Sequence, residues 1–138
     1  MKRDNIIMKV LMINGPVYYA SANAILIATL DRLFYSTHFD KTMKVGASVV
    51  CARRGGCSAT FDELNKYFTI TNMPIASSQY WNSIHGRAQG EADQDEEGKQ
   101  IMRVLARNMT FLMKSISLGK EKYGLPKTEE HAWTHFIR

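Results

Sequence analysis

Two aromatic residues, Tyr18 and Tyr19, follow a strand-like apolar run that ends at Asn14, and a helical pattern begins at about Ala24. Loops at the carboxyl ends of buried parallel strands are where open α/β sheets bind their ligands. A tyrosine ring on such a loop can stack against a planar aromatic ligand, although a packed loop without a ligand is the alternative. The candidate binding residues of this loop are Pro16, Val17, Tyr18, Tyr19 and Ala20.

A second loop whose residues could bind a ligand follows the next apolar, β-branched run, Lys44 to Cys51. Its residues are Ala52, Arg53, Arg54, Gly55 and Gly56. Glycines let the backbone come close to a ligand, and arginines attract negative charge. Taken alone, this composition is also typical of a solvated turn.

Two cysteines, Cys51 and Cys57, flank this second loop. Their spacing is not C-x-x-C, and no further Cys or suitably placed His completes a metal-ligand set. The sequence therefore predicts no metal site. We expect Cys51 to be a small buried side chain at a strand end and Cys57 to be a free thiol on a loop.

The composition favours one globular domain and limits its partners. The chain has 138 residues, 45% of them hydrophobic, and a net charge of +5 that favours anionic partners. We do not expect nucleic acid as a partner, because the basic residues are scattered and no nucleic-acid-binding signature occurs. The charged N-terminus lacks a signal peptide's apolar region and no run is long enough to span a membrane, so we expect a cytoplasmic protein without membrane contact.

Strand and helix patterns alternate along the chain, which predicts an α/β fold with a parallel sheet. Residues 1–8 are expected to be a leader, residues 9–118 the domain, and residues 119–138 a loose tail in which Trp133 and Phe136 anchor at most a short helix. The predicted strands are Ile7 to Asn14, Lys44 to Cys51 and Ile75 to Ser78, and the predicted helices are 24–35, 60–68 and 93–118.

Local signals predict where these elements end and which faces they bury. Gly15-Pro16 is expected to end the first strand, Ser21 or Asn23 to cap the first helix, and Thr60 to cap the second. The side chains expected to face inward from the first helix are Ile25, Leu26, Leu30, Leu33 and Phe34, and those from the second are Phe61, Leu64, Tyr67 and Phe68. The last helix presents Ile101, Leu105, Met109, Leu112 and Ile116 at helical spacing.

The order of two motifs resembles that of a known family. The loop G-P-V-Y-Y, Gly15 to Tyr19, precedes a helix containing L-D-R-L-F, Leu30 to Phe34. This order resembles the flavodoxin-like NAD(P)H-dependent FMN reductases. The resemblance implies a three-layer parallel sheet with helices on both faces, shortened here to about three strands. It also implies that the first strand occupies the family's third-strand position and pairs in parallel with Lys44 to Cys51.

The same resemblance implies a function and a site. The family passes hydride from NAD(P)H through bound FMN to a small acceptor such as a quinone, a nitro compound or free flavin, and it needs no protein acid or base. The resemblance places the loop of Pro16 to Ala20 against the flavin ring and brings the loop of Ala52 to Gly56 close to it. Trp81 and His85 could line the outer side of the ring, although a half-buried Trp and a surface His are the alternative.

One part of the family pattern is missing from this sequence. In the family, a phosphate-binding loop, a helix and a strand precede the aromatic loop, whereas here a strand resembling the family's first strand runs directly into Pro16. The alternative function is therefore a non-catalytic remnant or partner-binding protein that no longer binds FMN tightly. A shortened sheet also leaves an open edge on the first strand, so we expect a homo-oligomer.

Overall fold

The computed structural model describes residues 10–136, and within them the chain forms one four-stranded sheet and three α-helices. The strands are β1 Val10–Tyr18, β2 Ser21–Ala22, β3 Val45–Ala52 and β4 Ser83–His85. The helices are α1 Ala24–Ser36, α2 Cys57–Thr69 and α3 Glu96–Tyr123, and a short 3-10 helix covers Glu91–Gln94. The α/β class expected from the sequence is confirmed.

The sheet has the order β2-β1-β3-β4, and its three longer strands are parallel. β1 pairs with β3 from Val10 opposite Val45 to Pro16 opposite Cys51, so the expected parallel pairing is confirmed. β2 adds only a two-residue antiparallel pair at the end of β1, which makes four strands rather than about three. The expected start of β1 at Ile7 and the leader of residues 1–8 lie outside the described residues.

Helices cover both faces of the sheet. α1 and α2 pack over the face of β1 and β3 that carries Ile13 and Val50. α3 packs over the opposite face, where Leu105 and Met109 contact the cluster that contains Val45, Ala47 and Val49. Because alternate β3 residues contribute to the two cores, nearly every position of this strand is buried, as its continuous apolar run predicts.

β1 does not end at Gly15-Pro16 as expected, but continues to Tyr18. Pro16 pairs with Cys51 in the parallel ladder. Over residues 10–16, β1 has no strand on its other side within the described part of the chain. A proline is tolerated on such an edge because its missing N–H can face away from the partner strand.

The third parallel strand also lies elsewhere in the chain than the sequence predicts. Ile75 makes only an isolated bridge to Gly46, and the strand itself is Ser83–His85 rather than Ile75 to Ser78. The chain thus touches β3 twice, with a connection between the two contacts. Ser-Ile-His is too short and polar to carry a strand pattern, so its position follows from pairing with Val50 to Ala52.

The three helices begin with two kinds of cap, a side-chain acceptor before α1 and α3 and a glycine before α2. Asn23, one of the two expected caps, accepts hydrogen bonds from the amides of Ile25 and Leu26. Thr60 is not a cap: α2 begins three residues earlier, after Gly56 in the left-handed region, and Thr60 is buried within the helix. Asp95 caps α3 through the amide of Gly98.

The inward faces are largely as expected, with exceptions on α1 and in the tail. Ile25 is 77% exposed and Leu33 is 41% exposed, so the buried side of α1 is formed by Leu30 together with its partly buried neighbours. α3 continues past Leu118 to Tyr123. Residues 124–136 form no helix, and both expected anchors, Trp133 and Phe136, are exposed. None of the helices in the described residues is long and apolar enough to cross a membrane.

Leu30→Ala and Leu33→Ala test this assignment of faces with the same chemical change on one helix. Leu30 is 5% exposed, so its truncation leaves a cavity and is expected to lower the free energy of unfolding by about 2–5 kcal/mol. Leu33→Ala should cost clearly less, since its side chain is already partly in water. Urea unfolding measures both, and equal losses would contradict the packing described here.

Candidate functional site

The first candidate loop is the end of β1 and a tight hairpin turn. Val17 pairs with Ala22 and Tyr18 with Ser21, which leaves Tyr19 and Ala20 as a two-residue turn. Both turn residues have positive φ, 49° and 60°. Such turns favour Asn and Gly, and a residue with a side chain is strained there by about 1–2 kcal/mol. Strain of this kind occurs often at functional sites.

The hairpin holds its tyrosine rings in solvent. Tyr19 is fully exposed and Tyr18 is 58% exposed. The base of the turn is fixed by Glu63 of α2, which accepts hydrogen bonds from the Ser21 hydroxyl at 2.7 Å and the Ala22 amide at 2.9 Å. The sequence gives no local signal for this contact because the partners are about forty residues apart. Glu63 is therefore a structural determinant of the site that the sequence analysis missed.

The second candidate loop is shorter than expected. Ala52 belongs to β3 and is buried, so the exposed loop begins at Arg53. Arg53, Arg54 and Gly55 are exposed at the carboxyl end of the strand. Glu91 lies near this loop: the amides of Ala88 and Arg87 hold the pKa of its carboxyl below the usual range, and the charge of Arg53 contributes a smaller effect in the same direction. The positive charge of this loop is thus partly offset by the negative charge of Glu91.

The two candidate loops touch each other at Gly56. A Cβ atom added there would lie 2.7 Å from both the Ala20 Cα and the Val17 Cγ1. Gly56 also has a φ of 92°, which favours glycine. This glycine therefore permits close packing between the loops. A Cβ atom added to Gly55, in contrast, would have no atom of the described residues within 4 Å and would face open space.

Beside these loops, the sheet carries a shallow apolar groove. Strand register aligns Pro16, Cys51 and Ile84 in one row across β1, β3 and β4. The groove has a volume of about 330 Å³, and its lining residues are Asn14, Gly15, Pro16, Val49, Cys51 and Ile84. It lies on the α3 side of the sheet, because Val49 belongs to the core beneath α3. A larger depression of about 410 Å³ is lined by α3 alone.

Trp81 and His85, the two further candidates, lie in different surroundings. Trp81 is 55% exposed and packs edge-on against Tyr80, with ring centroids 4.9 Å apart. His85 ends β4, and its ring lies between Asp95 and Cys57, the residue that follows the second loop. Within residues 10–136, no group of three or more His, Cys, Asp or Glu side chains is arranged to hold a metal ion.

Gly56→Ala and Gly55→Ala test the contact between the loops. Gly56→Ala is expected to lower the free energy of unfolding by at least about 1–2 kcal/mol, because alanine is strained at positive φ and its methyl group would collide with Ala20. Gly55→Ala should change it by less than about 0.5 kcal/mol, as at an ordinary surface position. Denaturant titration measures both, and similar values for the two variants would contradict the loop packing.

Comparison of the chain with protein-family models and with curated proteins gives no match.

Proposed function

We propose that the protein is an FMN-dependent NAD(P)H oxidoreductase of the flavodoxin-like type. One observation carries the proposal: the aromatic hairpin of Val17–Ala20 and the basic loop of Arg53–Gly56 are in contact at the carboxyl ends of two adjacent parallel strands. This is the part of an open α/β sheet at which ligands bind. It is also where the sequence resemblance predicts that a flavin ring lies.

The strand and helix order supports the finer assignment of the fold. A flavodoxin-like sheet has the strand order 2-1-3-4-5, so three successive βα units at one side of it form adjacent parallel strands. β1, β3 and β4 are such a series, with α1 and α2 on one face and α3 on the other. We therefore assign β1 to the third-strand position of that sheet.

The residues of the two loops are suited to a planar aromatic ring that becomes negatively charged when it is reduced. The exposed Tyr19 side chain offers a stacking surface, and the exposed Arg53 and Arg54 side chains favour the negative charge of a reduced flavin. FMN, when bound, supplies the redox chemistry by taking two electrons from NAD(P)H and giving them to a small acceptor. The role of this chain is to bind and orient the ring.

Phosphate recognition is the weak part of the site. β1 starts the described residues at Val10, and the phosphate-binding loop implied by the resemblance has no counterpart within residues 10–136. Each charge-assisted hydrogen bond to a phosphate contributes about 1.5–3 kcal/mol, so a site without them loses orders of magnitude in affinity for FMN. These loops then bind a flavin through its ring rather than through its phosphate.

One observation favours the alternative, a non-catalytic protein that binds a partner but not FMN. Gly56 is packed against Val17 and Ala20 of the same chain, so the space beside this glycine is already filled. A flavin must then lie over the outer surface of the two loops, where Tyr19, Arg53 and Gly55 are exposed. Flavin titration separates the two functions.

Flavin binding by the loops predicts that FMN and riboflavin, which lacks the phosphate, bind with dissociation constants within about tenfold of each other. Tyr19→Ala should weaken binding of both by about two- to tenfold, the loss of one stacking contact. Tyr35→Ala is the matched control, an equally exposed tyrosine at the far end of α1. Quenching of flavin fluorescence measures these constants, and NAD(P)H oxidation with added FMN measures activity. Absence of both quenching and oxidation would support the alternative.

We further propose self-association through the open edge of β1. Residues 10–16 of β1 pair only with β3 within the described chain, and the exposed fraction of Met12 on this strand is 46%. An unpaired strand edge is a template for pairing with another strand. Sedimentation velocity over a concentration series should detect dimers or larger species, and Met12→Lys should reduce them. A monomer at every concentration would contradict this proposal.

A further inference from the structure

Three side chains that the flavin proposal does not use converge beside the second loop. Cys57 is the first residue of α2, His85 is the last residue of β4, and Asp95 caps α3. The Cys57 Sγ lies 3.8 Å from the Nε2 of His85. On the other side of the ring, the Nδ1 of His85 lies 3.5 Å from the Asp95 Oδ2. The order thiol, imidazole, carboxylate is that of a nucleophile, its base and the group that orients the base.

Backbone contacts fix the carboxylate of this set. Asp95 accepts one hydrogen bond from the Gly98 amide at 2.8 Å and another from the His85 amide at 2.7 Å. These two amides hold the pKa of the Asp95 carboxyl below its usual range, so it stays ionised at neutral pH. A Cβ atom on Gly98 would lie 2.5 Å from Oδ2, so this glycine leaves room for the carboxylate.

The arrangement of the His85 ring suits a base rather than a metal ligand. A carboxylate beside Nδ1 favours the tautomer with its proton on that nitrogen, which leaves the Nε2 lone pair directed at the thiol. The thiol and the carboxylate lie at opposite nitrogens of one ring, so the three groups cannot share a single ion. The side chain of His85 is 46% exposed, which leaves access for a small molecule.

The thiol itself requires such a base. Burial, with a smaller effect of Cys51, raises the pKa of Cys57, so the resting group is the protonated thiol. Cys57 is a free cysteine and remains partly accessible. It stands at a helix start, where the first backbone N–H groups have no partner within the helix and can donate to a developing oxyanion.

We propose that Cys57, His85 and Asp95 form a nucleophilic site that hydrolyses small activated acyl compounds such as esters and thioesters. The Sγ attacks the acyl carbon while His85 takes the thiol proton, and the leaving group departs with that proton as the bond to the acyl carbon breaks. Water then attacks the resulting thioester, gives its proton to His85, and the released sulfur recovers it. The net reaction is acyl compound plus water to acid plus alcohol or thiol, and it uses no flavin.

p-Nitrophenyl acetate, supplied without flavin, is a direct probe. The wild-type protein should release p-nitrophenol and carry a transient acetyl group on Cys57, which mass spectrometry of digested protein locates. Cys57→Ser and His85→Gln should each reduce the release by at least about a hundredfold, the size of a general-base contribution. Cys51→Ser is the matched control: acetylation should still occur on Cys57, and the rate should change far less than a hundredfold, because Cys51 is not part of the set and has only the smaller effect on the pKa of Cys57.

Added imidazole distinguishes catalysis from packing. In His85→Ala it can enter the space of the missing ring and should restore acetylation of Cys57, followed by mass spectrometry. Because imidazole also hydrolyses p-nitrophenyl acetate in solution, release is compared with a protein-free imidazole blank, and the double variant Cys57→Ser/His85→Ala should give none above that blank. Asp95→Asn keeps an acceptor for the Gly98 amide but loses the one for the His85 amide, so its melting temperature should fall modestly. Measured well below that temperature, where the variant is folded, the reaction should still be slower than in the wild-type protein, as expected for a positioning residue.

Two results would overturn the proposal. One is acetylation of Cys57 in the wild-type protein no faster than that of a cysteine in an unstructured peptide. The other is a His85→Gln protein that reacts at the wild-type rate. Circular dichroism of each variant confirms that it is folded, and these readouts are independent of flavin binding.

Discussion

β3 is buried along almost its whole length, and β1 lies beside it in parallel from Val10 to Pro16. This pairing determines what meets at the carboxyl edge of the sheet. It brings the hairpin after β1 next to the loop after β3, and it aligns Pro16 with Cys51. β4 then extends the same row with Ile84. A shift of one residue in this register would turn the apolar residues of β1 to the wrong face, so both cores oppose such a shift.

The hairpin beyond β1 shows how local strain is balanced by distant contacts. Tyr19 and Ala20 occupy conformations that favour glycine, yet the turn is fixed by Glu63 from α2 and by the close approach to Gly56. Together these contacts oppose a strain of about 1–2 kcal/mol per residue. The backbone of the turn that carries the exposed Tyr19 side chain is therefore fixed by residues from another part of the chain.

The sequence predicted those features that depend on repeated side-chain patterns. The continuous apolar run of Lys44 to Cys51 predicted a strand covered on both faces, and the apolar spacing from Ile101 to Ile116 predicted a long helix. Both are confirmed, with small changes at the ends. The position of both candidate loops after adjacent parallel strands was also predictable, because it follows from the order of the elements.

Features that depend on tertiary contacts were not predictable. The strand Ser83–His85 has no apolar alternation, so only its pairing with β3 defines it. Pro16 locally predicts a strand end, because proline has no N–H to donate to a neighbouring strand. On an edge strand that missing N–H can face away from the partner, so the strand continues. The approach of Cys57 to His85 joins residues nearly thirty positions apart and depends on where α2 and β4 meet. Cys57 was expected to be a free thiol on a loop, because no local pattern in the sequence indicates its contact with His85.

Asp95 joins the end of β4 to the beginning of α3, since one carboxylate accepts from the amides of both His85 and Gly98. The intervening residues, 86–94, thus leave and return to nearly the same point, in the manner of a compact surface loop. Lengthening a loop whose ends are tied together costs little free energy, because closure entropy grows slowly with length. This segment is consequently the place where the fold can accept inserted sequence, such as a binding tag or a second domain, without displacing the strand or the helix that it connects.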